Sequence, residues 1–406
     1  MKFTVGLTSL ALFSLSSVAP SLAASQLVSR SAESSLSSQS LPSGAKTIQV
    51  ANSFSSITQI IHTQQNNSRL SQSSPGTPSV SDRYNQLVPI SPAYRRRRLV
   101  GHRSHISGLS FSPNSNVLVS SSEDGTIRLW NVSSGSLIRT LTGHRQSVFR
   151  VNFSPNGRIL ASGDAGGVVK LWDMQTGKEI DSMWAHGNGI TGIQFSPNAP
   201  ILASSSNDGT IKIWSLQTGK RIHTLRGKYA TIRSISFSPD GRFIVSSGSY
   251  SQTLGSQGSD GDIKVWDVQT GSEIRTLRGH KGNITRVRFS PNGRFIASSG
   301  QDGTIRLWNA GNGAAIRTFR GHGNWVNDFY FSQNGDFLVS TSRDKTLKFW
   351  DVETGENYRT VNLGGTPGSL TLSPNGYFLA FASNESTNDQ YTHTVTVFSS
   401  SSFDRQ

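Results

Sequence analysis

Residues 101–144 read GHRSHISGLSFSPNSNVLVSSSEDGTIRLWNVSSGSLIRTLTGH, and this unit returns, with drift, through the rest of the chain. Trp130, Trp172 and Trp214 lie 42 residues apart, Trp266 follows after 52, and Trp308 and Trp350 resume the step of 42; Phe398 takes the seventh place. Upstream, His102, His144, His186, Lys228, His280 and His322 keep the same register, the long step included. Two markers that move together through one irregular step define a repeated structural unit. Within it, FSPNG or FSPDG supplies a tight turn that needs positive φ, and QTGK or VSSGS supplies another. Between the turns, VLVSSS and TIRLW alternate with the period of two expected of strands.

A unit of this length, with four short strands, Gly-His near its start and Trp-Asp near its end, resembles the WD40 repeat. The resemblance covers residues 95–398 and implies an all-β fold, a seven-bladed β-propeller over 95–399. Arg95–Gly101, RRRRLVG, matches the repeat ends LIRTLTG and EIRTLRG. The resemblance implies that this segment closes the ring as the outer strand of the seventh blade, removing an exposed sheet edge. It also implies a hydrogen-bonded chain inside each blade from Asp through His and Ser to Trp. Four blades carry the whole set: His102, Ser120, Asp124, Trp130; His186, Ser204, Asp208, Trp214; His280, Ser298, Asp302, Trp308; and His322, Ser340, Asp344, Trp350. Blade two has Gly166 where Asp is expected, blade four has Lys228 for His, and blade seven has Phe398 for Trp with no evident His or Asp. These three blades are expected to be less rigid.

The flanks read differently. Residues 1–24 pair a charged start with the apolar run VGLTSLALFSLSSVAP and a small-residue exit, the pattern of a secretory signal peptide. Residues 25–94, rich in Ser, Gln, Asn and Pro, bury too little apolar surface to offset their ordering entropy and read as a disordered linker. Residues 400–406 are a short C-terminal tail. The implied location is outside the cytoplasm: periplasmic, lumenal or extracellular. No later segment is apolar enough for a transmembrane span. The absence of Cys excludes disulfides, thiolate metal sites and Cys nucleophiles. The net charge of +15 is concentrated at the start, where residues 1–98 hold nine basic against two acidic residues, so the repeats are only mildly basic and no nucleic-acid partner is expected.

Recurring His and Asp raise the question of catalysis or metal binding. Each His lies 22 residues from its Asp, once per blade, with Ser and Trp completing a satisfied network that leaves no open ligand position. HExxH, GxSxG, P-loop and dinucleotide fingerprints are missing, and GSQGSDGD at 255–262 lacks calcium-loop spacing. The expectation is no enzyme activity, no cofactor and no metal, and a monomeric scaffold for protein or peptide partners. Binding of an anionic cell-envelope polymer or lipid by basic residues is the alternative, and a propeller enzyme a third reading, for which Glu123 with His105 is the one nearby pair.

In WD40 proteins the residues three and five after the Gly-His histidine, and the one before the blade Asp, usually face partners around the channel. Carried over by position, the resemblance implies His105, Ser107 and Glu123 in blade one, Phe149 in two, Asn207 in three, Arg233 in four, Asn283 and Gln301 in five, and Trp325, Asn327 and Arg343 in six. Phe149, Arg233, Trp325 and Arg343 are the expected anchors, because aromatic and Arg side chains dominate interface energetics. Two insertions, Gly248–Gly258 in blade four and Asn384–His393 in blade seven, are read as enlarged loops on the same face. The basic residues two before each Trp (Arg128, Lys170, Lys212, Lys264, Arg306, Lys348) are read as third-strand positions with buried stems and solvated heads.

Overall fold

The structure, a computed structural model, describes residues 95–249, 261–387 and 390–399. The leader at 1–24, the linker at 25–94, the tail at 400–406 and most of the blade-four insertion lie outside the described residues.

Alternating strands joined by tight turns can cover both faces only by stacking sheet on sheet, and the repeat does so seven times, in seven four-stranded antiparallel sheets. Blade one is typical: Ile106–Phe111, Val117–Ser122, Ile127–Asn131 and Leu137–Leu141, in sequential order. The first strands of the seven blades contact one another in turn, and that of blade seven (Pro367–Leu372) returns to that of blade one, so the ring is closed around a channel.

The period-two pattern decides the packing. On the third strand of blade one, Ile127 and Leu129 pack with Val148, Val151 and Phe153 of blade two, whereas Trp130 packs with Phe378, Val395 and Val397 of blade seven. Seven apolar clusters of this kind lie one between each pair of neighbours. Both faces of each sheet are therefore buried.

The strand that precedes blade one in sequence completes blade seven. Arg95–Val100 pairs antiparallel with Gln390–Ser399, from Arg95 opposite Ser399 to Val100 opposite Thr394, and Leu99 is buried in the cluster shared with blade one. Arg97 donates to the carbonyls of Val132 (2.8 Å) and Ser133 in blade one. Outer-strand side chains elsewhere make the same reach into the following blade: His223 to Gln269 O, Arg275 to Ala310 O, Arg317 to Thr354 O.

Blade seven differs from the expected loop. Phe378–Thr387 and Gln390–Ser399 stay paired from Phe378 opposite Ser399 to Thr387 opposite Gln390, so Asn384–His393 continues the sheet as an extended hairpin. Thr, Tyr and His residues in the segment suit a strand, and Asn384 Oδ1 takes a bond across it from His393 Nδ1 at 2.9 Å.

Candidate functional site

The buried polar chains come first, because they decide whether any His or Asp is left for chemistry. In blade one, His102 Nδ1 lies 2.9 Å from Asp124 Oδ2, His102 Nε2 lies 2.8 Å from Ser120 Oγ, and the Trp130 indole donates to the same Oγ at 2.9 Å. Asp accepts from Nδ1–H, so Nε2 accepts the Ser hydroxyl proton, and the imidazole is neutral. Burial pushes the His102 pKa down despite its Asp124 partner. Burial opposes the charge on Asp124, but bonds from the Thr126 hydroxyl, the Arg103 amide and His102 prevail and hold its carboxyl at about 2. Blades three, five and six repeat the chain: His186 with Asp208 and Ser204, His280 with Asp302 and Ser298, His322 with Asp344 and Ser340, each Ser accepting from its Trp.

Blade two corrects the sequence reading. Its chain is complete, with Asp164 in the acid's place: His144 Nδ1 to Asp164 Oδ2 is 2.8 Å, His144 Nε2 to Ser162 Oγ 2.7 Å, and Trp172 to Ser162 Oγ 2.8 Å. Asp164 ends a strand, two residues before Gly166, and its Oδ1 accepts the amides of Gly166 and Val168. Side-chain reach covers the shift, and Gly166 need supply nothing but its amide.

Blades four and seven replace the chain. In blade four Trp266 still donates to Ser246 Oγ at 2.8 Å, but Lys228 is exposed and the neighbouring Tyr229 is buried instead, its hydroxyl donating to Asp262 O at 3.0 Å. In blade seven Phe381 stands where other blades have Ser, and its ring lies 5.8 Å from that of Phe398. An aromatic pair, with Leu363 and Leu379 in the same cluster, has taken the place of the polar one.

The face positions come together in pairs set by backbone bonds. The amide of Glu123 donates to His105 O, that of Gln301 to Asn283 O and that of Arg343 to Trp325 O, each at 2.9 Å; that of Asn207 donates to Gly189 O at 3.0 Å. His105 Nδ1 and Glu123 Oε1 are 3.8 Å apart and nearly half exposed, and Asn283 Nδ2 donates to Gln301 Oε1 at 3.3 Å. The Arg343 guanidinium lies 3.9 Å from the Trp325 ring centroid, a cation–π stack. Asn327 Nδ2 donates to Pro367 O at 2.7 Å and so spans to blade seven. Phe149 is half-buried, and Ser107 offers its carbonyl to Arg150.

Arg233 departs from this company. Its Nε is buried and takes no hydrogen bond among the described residues, and it is repelled by Arg286 of the channel. The channel itself was not singled out from the sequence. A β-bulge at the same place on every first strand, for example between Val148 and Arg150 or Val326 and Asp328, re-aims the following side chain. Arg150, Arg286 and Asp328 fall at this position in the 42-residue register and line one cavity with Arg288 and Tyr330. Comparing that position across units would have found them. Trp184 was missed too; it is the other Trp besides Trp325 outside the repeat positions, and it is 74% exposed.

The basic third-strand residues depart from the reading of solvated heads, because the outer strand supplies them with partners: Lys170 donates to Glu179 and Ser182, Lys264, itself buried, to Glu273 and Thr276, and Lys348 to Thr360, while Lys212 donates to Ala185 O.

Comparison with known proteins agrees with this architecture. Residues 94–131, 135–173, 177–215, 219–267, 271–309 and 313–351 each match the family described as "WD domain, G-beta repeat", and the matches stop before the blade whose polar chain is gone. A stretch of 34 residues is 50% identical to Transcription initiation factor TFIID subunit 5 of Caenorhabditis elegans, covering 8% of this chain and 5% of that protein. So small a share of the relative's length speaks to the repeat alone. WD40 propellers commonly serve as protein-interaction scaffolds, and this chain, matched by six successive repeats, belongs to the WD domain, G-beta repeat family.

Proposed function

We propose that the chain is a non-catalytic scaffold that acts outside the cytoplasm and receives a protein or peptide partner on the loop face around the channel. The observation that carries this reading is the Arg343 guanidinium stacked on the Trp325 ring, one of several backbone-paired sets of face residues. An aromatic ring pre-ordered by a cation loses little entropy on binding, which is what an interface anchor needs. A scaffold role is also supported by the His and Asp residues, which five blades spend on buried chains. The export part rests on residues 1–24 and is tested by fractionating cells that express the full chain.

Crosslinking pull-down of the mature protein, set beside the Trp325→Ala, Arg343→Ala double variant, tests the face. Capture is expected to fall by at least tenfold, the loss of one or two anchors, with the melting temperature unchanged. Equal capture by variant and parent removes this face from consideration. Repeating the capture at low and moderate salt separates an aromatic-anchored protein interface, which is tolerant, from an anionic polymer bound by charge, which is not.

A further inference from the structure

The channel holds more positive charge than it neutralises. Four guanidinium groups, Arg150, Arg233, Arg286 and Arg288, come from the first strands of blades two, four and five, and Asp328 of blade six is the carboxylate that Arg150, Arg286 and Arg288 face. Asp328 is buried and shared: Arg286 Nε is 3.3 Å and Arg288 Nη2 3.1 Å from its Oδ1, while the amides of Phe329 and Leu370 donate to it as well. Arg288 is further held by Phe329 O at 2.7 Å and by the Tyr330 ring, 3.6 Å from its guanidinium carbon. One negative charge thus answers for two of the four cations.

The other two are paired with no carboxylate among the described residues. Arg150 spends its donors on carbonyls, Nε on Thr191 O at 2.7 Å and Nη1 on Phe149 O and Ser107 O. Burial, with repulsion by Arg286 next, pushes its pKa down to about 9, a large departure for a guanidinium. Arg233 is half-buried, and its buried Nε makes no hydrogen bond among the described residues. A largely buried cation without a carboxylate is costly, which is the position of Arg150, and a counter-charge in the channel would relieve it. Arg150, Arg286 and Arg288 line a cavity of about 90 Å³ to which all seven first strands contribute. That is several times the roughly 10–15 Å³ that one water needs, enough for a compact oxyanion.

We propose that the channel is an anion site, built by Arg150 and Arg286 on the cavity wall, with Arg233 beside the lining Ser234 adding positive charge, for a tetrahedral oxyanion of the phosphate or sulfate class. The planar donor forks of arginine suit such oxygens. The site is independent of the scaffold reading: it sits inside the ring and uses neither Trp325 nor Arg343. When bound, the anion ties blades two and five across the channel, so it stabilises the ring by mass action.

Inorganic phosphate is the probe, against sodium chloride at matched ionic strength and neutral pH. Phosphate is expected to raise the melting temperature of the parent above the chloride control. Arg150→Met, which removes a cation from the cavity wall, is expected to bind phosphate at least about tenfold more weakly by calorimetry, the worth of a charge-assisted hydrogen bond. Asn152→Asp serves as a second variant: it keeps the acceptor for the Phe195 amide and puts a carboxylate on the cavity wall. It is expected to raise the melt without phosphate and to blunt the response to it. Equal phosphate responses in parent and both variants, or no response in the parent, overturn the proposal. Capture by anionic phospholipid vesicles without a response to free phosphate overturns it as well.

Discussion

Asp164 Oδ2 sits 2.8 Å from His144 Nδ1, two residues ahead of the position the repeat reserves for its acid, and the polar chain of blade two is as complete as those of its neighbours. The chain selects for a carboxylate within reach of Nδ1 rather than for a residue number. Asp164→Ala is therefore expected to cost about 1–3 kcal/mol, the penalty for leaving buried donors without an acceptor, read as a lower denaturation midpoint. Gly166→Asp, which restores the repeat's letter, is expected to give no gain, since His144 is already satisfied.

Arg95–Val100 makes the seventh blade four-stranded and contributes Leu99 and the Arg97 bonds to the seam with blade one. Removing it strips the pairing edge of Gln390–Ser399 and uncovers Val395 and Val397. Deletion of residues 95–100 is expected to lower the melting temperature sharply and to promote aggregation through the bared edge. A melt equal to that of the parent would show that the strand contributes nothing to closure.

How much of this was legible depended on whether a signal repeats. Six Trp positions, the Gly-His register and the turn residues recur, so the repeated units could be placed from letters, and the resemblance they carry implied the closing strand and four polar chains. Asp164 was not, because the eye follows register and hydrogen bonding follows distance. The Asn384–His393 hairpin read as a loop because polar residues stand in both loops and exposed strands. Tyr229 could not be assigned to the space left by His in blade four, since that substitution moves one residue along the chain. The channel charges were hidden for a different reason. The residue at the bulge varies between strands, from Gly108 and Gly192 through Ser234 to Arg150, Arg286 and Asp328, and the excess charge appears only when the seven strands are brought into one ring.

Lys345 holds φ at 66° in the turn where other blades have Gly125, Gly209 and Gly303. A side chain in the left-handed region costs roughly 1–2 kcal/mol, part of which glycine gives back through its freer unfolded chain. Lys345→Gly is expected to stabilise the protein by about 0.5–1 kcal/mol, measured by chemical denaturation. Lys345 O, which accepts from the Leu363 amide, is kept by the change.

Acid should unfold the ring in two stages, and the sign follows from which state takes up protons. Burial lowers the pKa of His102, His186 and His322 below the ordinary value of 6.5, despite their aspartates. Below that value the unfolded chain binds protons that the folded one refuses, so stability is full above pH 6.5 and declines as pH falls through the folded values. The aspartates act lower. Burial disfavours their charge, but bonds from Thr126 and Thr346 hydroxyls, backbone amides and His hold Asp124 and Asp344 at about 2 against 3.8 unfolded. Their stabilisation is present above pH 4 and lost between 4 and 2. Melting temperature is thus expected to be flat from pH 8 to 7, to fall gently below 6.5 and steeply below 4. Exchanging His322 for Gln removes one titrating group, so that variant should start from a lower melt at pH 7 and lose less between pH 7 and 5 than the parent. An identical slope in both would assign the first stage to other groups.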